Sequence, residues 1–313
     1  MLHLIKRIKF IYTLYNFFHK KSLKHNLPLY KKHGIHKSYY SSISSKNFKG
    51  LNTNQPDTKK TEENIIEIKN EGLINAEDAK SLLRFHEQGY AILRQFYSPN
   101  KTDAVNKEID QLVHTKKVKF KYGNKIMFAF KKSDVICEMA NDARLKKILT
   151  ALIQTEPILF QSINFLNGSE QRTHSDSIHM TTFPLGKLIA VWIALEDIST
   201  ENGPLHYYPQ SHLLNYYLNS DFNNEGNSWL LGSKSYDDYE KMIQDKIEQS
   251  HLTKQLFLAK KGDLLIWHAN LFHGGEMHMD KSKTRKSIVF HYFGNDAICY
   301  HEITQRPALM DVN

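Results

Sequence analysis

At 313 residues, 41% of them hydrophobic, the chain can bury a substantial core in one large domain or two small ones. Two scattered cysteines, Cys137 and Cys299, exclude a disulfide framework and a thiolate metal site. Residues 1–61 carry 13 Lys or Arg against a single acid, Asp57, a net +12, and the rest carries 29 basic and 32 acidic residues, a net −3, so the overall +9 belongs to a leader and argues against a nucleic-acid partner.

Within that leader, Leu4, Ile8, Ile11, Leu14 and Phe18 fall at helical spacing among Lys6, Arg7, Lys9, Lys20 and Lys21. A helix of this kind over residues 1–21 suits peripheral contact with an anionic membrane surface, where each basic residue contributes about 1 kcal/mol. A targeting peptide, or a helix packed on its own domain, are the other readings. No run of apolar residues is long enough to span a bilayer, and a cytoplasmic location is expected. Ser41 to Thr61, rich in Ser, Asn and Lys, reads as a linker. The chain therefore divides into a basic leader, 1–61, and a globular domain, 62–313.

Asn75 caps a predicted helix with Glu77 and Asp78 in its first turn, stopping near Gly89. Tyr90 to Phe96 reads as a strand, and Ser98-Pro99 opens a second helix through Val105, Ile109 and Leu112. Val118 to Phe130 suggests a hairpin around Gly123-Asn124, and Ala143 to Leu152 a further helix. Short β-like runs then recur: 158–165, 188–195, 205–208, 256–259, 263–267 and 287–293. The predicted fold class is α+β: N-terminal helices, then a double-stranded β-helix (jelly roll) over about 157–300. A polar, partly helical insertion at 216–251 interrupts it and is expected to serve as a lid or substrate wall.

His174-Ser175-Asp176 sets an imidazole and a carboxylate two residues apart, and His273 follows about a hundred residues later. On a strand, residues i and i+2 face the same way. Two His and one carboxylate on one face of a metal leave positions open on non-haem Fe(II). An H-x-D motif alone is weak in a chain with 17 histidines. It gains weight from the ordered set around it: Asn202-Gly203-Pro204-Leu205, Tyr208-Pro209-Gln210-Ser211-His212, Gly262-Asp263, His273-Gly274 and Arg285.

With these motifs, residues 76–300 resemble the phytanoyl-CoA dioxygenase-like family of Fe(II)/2-oxoglutarate oxygenases. The departure is Gln210, where the family usually has Gly. The resemblance implies His174, Asp176 and His273 as iron ligands, and Arg285 paired with the distal carboxylate of 2-oxoglutarate. A guanidinium suits that carboxylate because it forks onto it with two charge-assisted bonds. Ser287 adds a hydroxyl and Trp192 is either a wall of the cosubstrate site or core packing. It also implies O₂ as second cosubstrate, release of succinate and CO₂, and hydroxylation of a small-molecule substrate, since halogenating relatives lack the carboxylate that Asp176 supplies. His179 offers an alternative ligand beside Asp176, His268 a pocket lining, and His212 a structural bond. Gln161 and Asn164 are candidate cosubstrate contacts, and Lys119, Lys121 and Lys125 read as a solvated face. The competing classes are an inactive binding protein on the same scaffold, a zinc or manganese hydrolase, and a basic membrane or nucleic-acid adaptor.

Overall fold

The structure is a computed structural model that describes residues 6–48, 50 and 56–310. Its helices come first and form where capping and periodicity agree. Asn75 accepts the Asp78 amide at 2.8 Å to start Ala76–Leu83, and Ser98 accepts that of Lys101 at 3.3 Å to start Pro99–His114. A helix at Thr58–Asn70 begins inside the expected linker, and Asp134–Ala140 was not foreseen. Ala143–Ile153 completes the layer.

Thirteen strands form three sheets among the described residues, the first three interleaved with the helices. They are β1 (Tyr90–Leu93), β2 (Phe120–Lys121), β3 (Lys125–Met127), β4 (Pro157–Phe165), β5 (Thr181–Phe183), β6 (Leu188–Ala194) and β7 (Leu205–Tyr207). The rest are β8 (Gln255–Phe257), β9 (Leu264–His268), β10 (His273–Gly275), β11 (Ser287–Gly294), β12 (Ile298–His301) and β13 (Arg306–Pro307). The major sheet runs β1-β9-β6-β11-β4-β3-β2, a minor sheet β10-β7-β8, and a third β13-β12-β5. Its paired strands are antiparallel.

Period-two alternation gives the major sheet two different apolar faces. Ile189, Val191, Ile193, Leu264, Ile266, Ile288 and Phe290 point to the helices and share a core with Ile65, Leu82, Ile109 and Leu149. Ala190, Trp192, Ala194, Leu265, Trp267 and Val289 point the other way and meet Leu205, Tyr207 and Phe257 of the minor sheet. Both faces are covered, which is why these strands read as near-continuous apolar runs rather than as clean alternation. The functional side chains lie between the two sheets.

The leader is not a free tether. Leu29, Tyr30, Ile43 and Phe48 pack on Phe183, Ile298 and Tyr300 of the third sheet. The buried carboxylate of Glu302 holds this layer down: it accepts from the Ser45 amide at 3.0 Å, the Ser45 hydroxyl at 2.7 Å and the Asn219 amide at 3.3 Å. The helix of the insertion, Tyr236–Ser250, buries Tyr239, Ile243 and Ile247 against Ile178, Tyr208 and Phe272.

Gln210 adopts the left-handed conformation, φ 68° and ψ −6°, on an exposed turn, so the turn keeps a glycine-like backbone without glycine. Gln210→Gly is expected to raise stability by about 1 kcal/mol by relieving the Cβ strain, read as a higher urea midpoint at constant slope. Glu302→Ala strands the Ser45 and Asn219 donors and should cost about 2–3 kcal/mol; limited proteolysis is expected to cut residues 24–48 faster than in the wild type.

Candidate metal and cosubstrate site

The two distant histidines meet through their backbones. His174 and His273 form an isolated antiparallel bridge, each amide donating to the other's carbonyl at 2.9 Å. Their rings come to 4.6 Å between centroids. Asp176 does not continue a strand, as the spacing suggested; it opens a 3-10 turn at Asp176–Ile178. That turn still aims its carboxylate inward, with Oδ1 at 3.8 Å from His273 Nε2. One donor atom from each of His174, Asp176 and His273 lies within 4.8 Å of the others, and all three residues are buried.

The surroundings prepare these atoms for a cation. His174 Nδ1 faces the Arg172 carbonyl at 2.8 Å, and His273 Nδ1 that of Leu271 at 2.9 Å. Each Nδ1–H is thereby committed to a carbonyl, which leaves both Nε2 atoms with the ligand lone pair, that of His174 facing the Gln171 side-chain amide at 3.1 Å. Trp267 donates its indole N–H to Asp176 Oδ2 at 2.8 Å, fixing the carboxylate's orientation. Burial, reinforced by mutual repulsion with His273, drives the His174 pKa well below the usual imidazole range, and burial lowers that of His273 too. For Asp176 burial opposes ionisation, but the neighbouring imidazoles of His273, His291 and His174 outweigh it and hold its carboxyl below the usual range. Two neutral nitrogens and an anionic oxygen form a donor set that fits Fe(II).

Arg285 enters the same interior. It is 2% exposed, unlike its neighbours Lys281, Lys283 and Lys286, which pair with Glu170, Glu201 and Asp110. Its Nε donates to the Gly203 carbonyl at 3.0 Å and one Nη to Ser287 Oγ at 3.1 Å. The guanidinium lies 5.4 Å from the Trp192 ring and 5.7 Å from the Phe165 ring. Among the described residues it forms no ion pair, and burial lowers its pKa to about 10. Ser287 and Trp192 share its face, and the Trp192 indole N–H is buried without a partner among the described residues.

The motif residues around the site hold it in place. Asn202 donates to the Thr284 carbonyl at 3.0 Å, and Gly203, at φ 73°, presents the carbonyl that Arg285 uses. Ser211 accepts the Phe272 amide at 2.7 Å, one residue before His273. Asp263 ties the turn into β9 by accepting from the amides of Gln95 and Lys260 at 2.8 and 2.9 Å.

Several sequence expectations change. His268 lies on the helix side of the major sheet, because it follows Leu264 and Ile266 in the alternation while Trp267 faces the triad. With His86, His212 and Tyr216 it lines a separate cleft of about 590 Å³, where burial draws the His268 pKa down to about 3. His179 is outside the donor cluster, its ring 4.6 Å from that of Tyr236 and tilted 36° to it. His212 is structural as expected, Nε2 meeting the His86 carbonyl at 3.1 Å. Gln161 pairs with His291 and Asn164 with Ile288, so only Gln161 shares the site's face. Lys125 is not solvated: its ammonium reaches Gln171 Oε1 at 2.7 Å, and Gln171 Nε2 stands 3.1 Å from His174 Nε2. Sequence reasoning missed His291, buried with Nε2 at 3.5 Å from Asp176 Oδ2; its place two residues after Val289 and four after Ser287 was the available signal.

Residues 85–287 match the family described as Phytanoyl-CoA dioxygenase (PhyH). The phytanoyl-CoA dioxygenase domain-containing protein 1 of Bos taurus is 22% identical over 271 residues, covering 67% of this chain and 88% of that protein. Its Danio rerio namesake is 23% identical over 184 residues, covering 41% of this chain and 63% of its own length, less than two thirds of the relative. Among solved structures, the non-heme alpha ketoglutarate dependent carbocyclase SnoK from nogalamycin biosynthesis aligns with a TM-score of 0.61 at 15% identity, over 75% of this chain and 93% of that one. EctD from S. alaskensis with 2-oxoglutarate and 5-hydroxyectoine aligns with a TM-score of 0.54 at 18% identity, over 71% and 77%. At these identities the likeness is one of fold, the cupin-like jelly roll of 2-oxoglutarate oxygenases. Because the matched span carries the donor triad and Arg285 together, on the fold that the solved oxygenases share, this chain belongs to the phytanoyl-CoA dioxygenase family.

Proposed function

We propose that this protein is a non-haem Fe(II)/2-oxoglutarate-dependent dioxygenase that hydroxylates a small-molecule metabolite, with succinate and CO₂ as coproducts. The observation that carries the reading is a buried guanidinium that forms no ion pair among the described residues, placed on the same interior as a His-Asp-His donor set. An uncompensated buried cation is costly. A dicarboxylate ligand would offset that cost by supplying the missing anion.

His174, Asp176 and His273 would hold Fe(II), which when bound supplies the oxidising chemistry that couples O₂ and 2-oxoglutarate to hydroxylation. Arg285 and Ser287 would hold the distal carboxylate of 2-oxoglutarate, with Trp192 as the wall beneath it. Five N–H donors are available on the guanidinium, and two are already placed by Gly203 and Ser287. The remaining ones can fork onto a carboxylate. Lys125, half-buried beside Gln171, adds a second positive charge to the same interior and favours anionic ligands there. Tyr236, on the insertion helix, closes over the triad: its hydroxyl accepts from Gln171 Nε2 at 3.3 Å and its ring contacts His179. The insertion therefore supplies the substrate wall, shields the site from water and presents aromatic surface to an organic substrate.

The runner-up is a ligand-binding protein on the same scaffold, which would bind 2-oxoglutarate without turnover. A zinc or manganese hydrolase would show turnover independent of 2-oxoglutarate. Succinate release from 2-oxoglutarate with Fe(II) and ascorbate, screened across metabolite classes, decides among the three. Arg285→Lys is expected to raise the KM for 2-oxoglutarate roughly a hundredfold, because a point charge replaces the fork; an unchanged KM would remove Arg285 from the site. Trp267→Phe keeps the ring but deletes the N–H that orients Asp176, and should weaken metal binding by about 10- to 100-fold in a cobalt(II) titration. Binding as tight as in the wild type would show that Asp176 needs no such support.

A further inference from the structure

The helix at Lys9–Phe18 is attached to the body the wrong way round for a soluble surface helix. Its buried residues are polar: Lys9 is 7% and Asn16 1% exposed. They stand seven apart, on one face. Lys9 Nζ donates to the Asn227 carbonyl at 2.6 Å and Asn16 Nδ2 to that of Tyr40 at 3.1 Å. Backbone pairing of Ile8 with Leu230, and the Arg7 guanidinium on the Leu231 carbonyl at 3.0 Å, fasten its start.

The apolar residues are left outside. Phe10 is 64%, Leu14 44%, Phe17 42% and Phe18 75% exposed, spaced as a single stripe, with Ile11 and Tyr15 beside it. Trp229, 76% exposed, leaves the backbone at the residue whose carbonyl accepts the Lys9 amide at 2.9 Å. Lys6, Lys20, Lys21 and Lys24 are exposed around the helix and just beyond it, and no acid occurs in the chain before Asp57. None of these four lysines forms an ion pair among the described residues.

We propose that this face docks the protein on an anionic lipid bilayer, the Phe10–Leu14–Phe17–Phe18 stripe entering the interface and Lys20, Lys21 and Lys24 meeting acidic headgroups. The charge pattern selects this occupant. A second copy would bring the same unpaired lysines together, and a nucleic acid would leave the aromatic stripe in water. A helix of 10 residues is about 15 Å long, half of a hydrocarbon core, so it lies on the surface rather than crossing it; no helix of the described residues is long and apolar enough to cross. Aromatic rings beside basic residues match the headgroup region of a bilayer.

The test is cosedimentation of the full-length protein with vesicles of phosphatidylcholine alone or with added phosphatidylserine. The wild type should pellet with the acidic vesicles, stay in solution with the neutral ones, and be released by salt. Two variants at exposed positions separate the contributions. Phe10→Glu with Phe18→Glu should lose at least tenfold in vesicle affinity while keeping the wild-type thermal transition. Lys20→Gln with Lys21→Gln should lose roughly thirtyfold, each basic residue being worth about fivefold near such a surface. A wild type that ignores acidic vesicles overturns the proposal. So does a phenylalanine variant that binds as the wild type does, which would reduce the contact to charge alone, or a lysine variant that binds undiminished.

Discussion

Everything at the centre of this protein depends on one pair of backbone hydrogen bonds. The exchange of amide and carbonyl between His174 and His273, at 2.9 Å in both directions, joins segments about a hundred residues apart and sets two imidazoles side by side. Side-chain contacts alone would not hold them: like-charged or lone-pair-bearing groups repel in a dry interior, and each buried imidazole sits below its usual pKa. The backbone bridge supplies the cohesion, and the carbonyls of Arg172 and Leu271 then fix which nitrogen of each ring points inward.

The interior that receives them is built by alternation in the major sheet. One face is aliphatic and meets the helices; the other carries Trp192, Trp267, Ser287 and His291. Polar and aromatic groups tolerate burial there only because neighbours satisfy them or a ligand can. Trp267 is satisfied by Asp176, whereas Trp192, Gln161 and His291 each retain a buried polar atom without a partner among the described residues. These three atoms lie on the face that carries Arg285 and the triad, where a bound ligand can complete their hydrogen bonds.

The leader follows a separate logic. Its later part, through Ile43 and Phe48, is ordinary core packing, stapled by Glu302. Its first described helix reverses the rule, burying Lys9 and Asn16 and exposing phenylalanines. Lys9 and Asn16 can be buried because each finds a backbone carbonyl. The catalytic-type interior and this outer surface lie on different elements, so attachment and chemistry can be varied independently.

The sequence by itself determined the helix starts at Asn75 and Ser98, the runs that became β4, β6, β9 and β11, and the residue types of the site: His174, Asp176, His273, Arg285 and Ser287. These are local facts, set by capping, by period-two burial and by a motif order that needs no coordinates. Distance and facing belonged to the tertiary structure alone. Whether Arg285 is a surface cation like Lys283 or a buried one depends on Gly203, 82 residues earlier. His268 and Trp267 are adjacent in sequence yet lie on opposite sides of a sheet, and only β9's pairing with β1 and β6 says which side holds the metal donors. Lys125 looked solvated because its partner, Gln171, is 46 residues away. Composition and spacing encode which groups a chain has; long-range pairing of strands, whose partners no local pattern specifies, decides which of those groups meet.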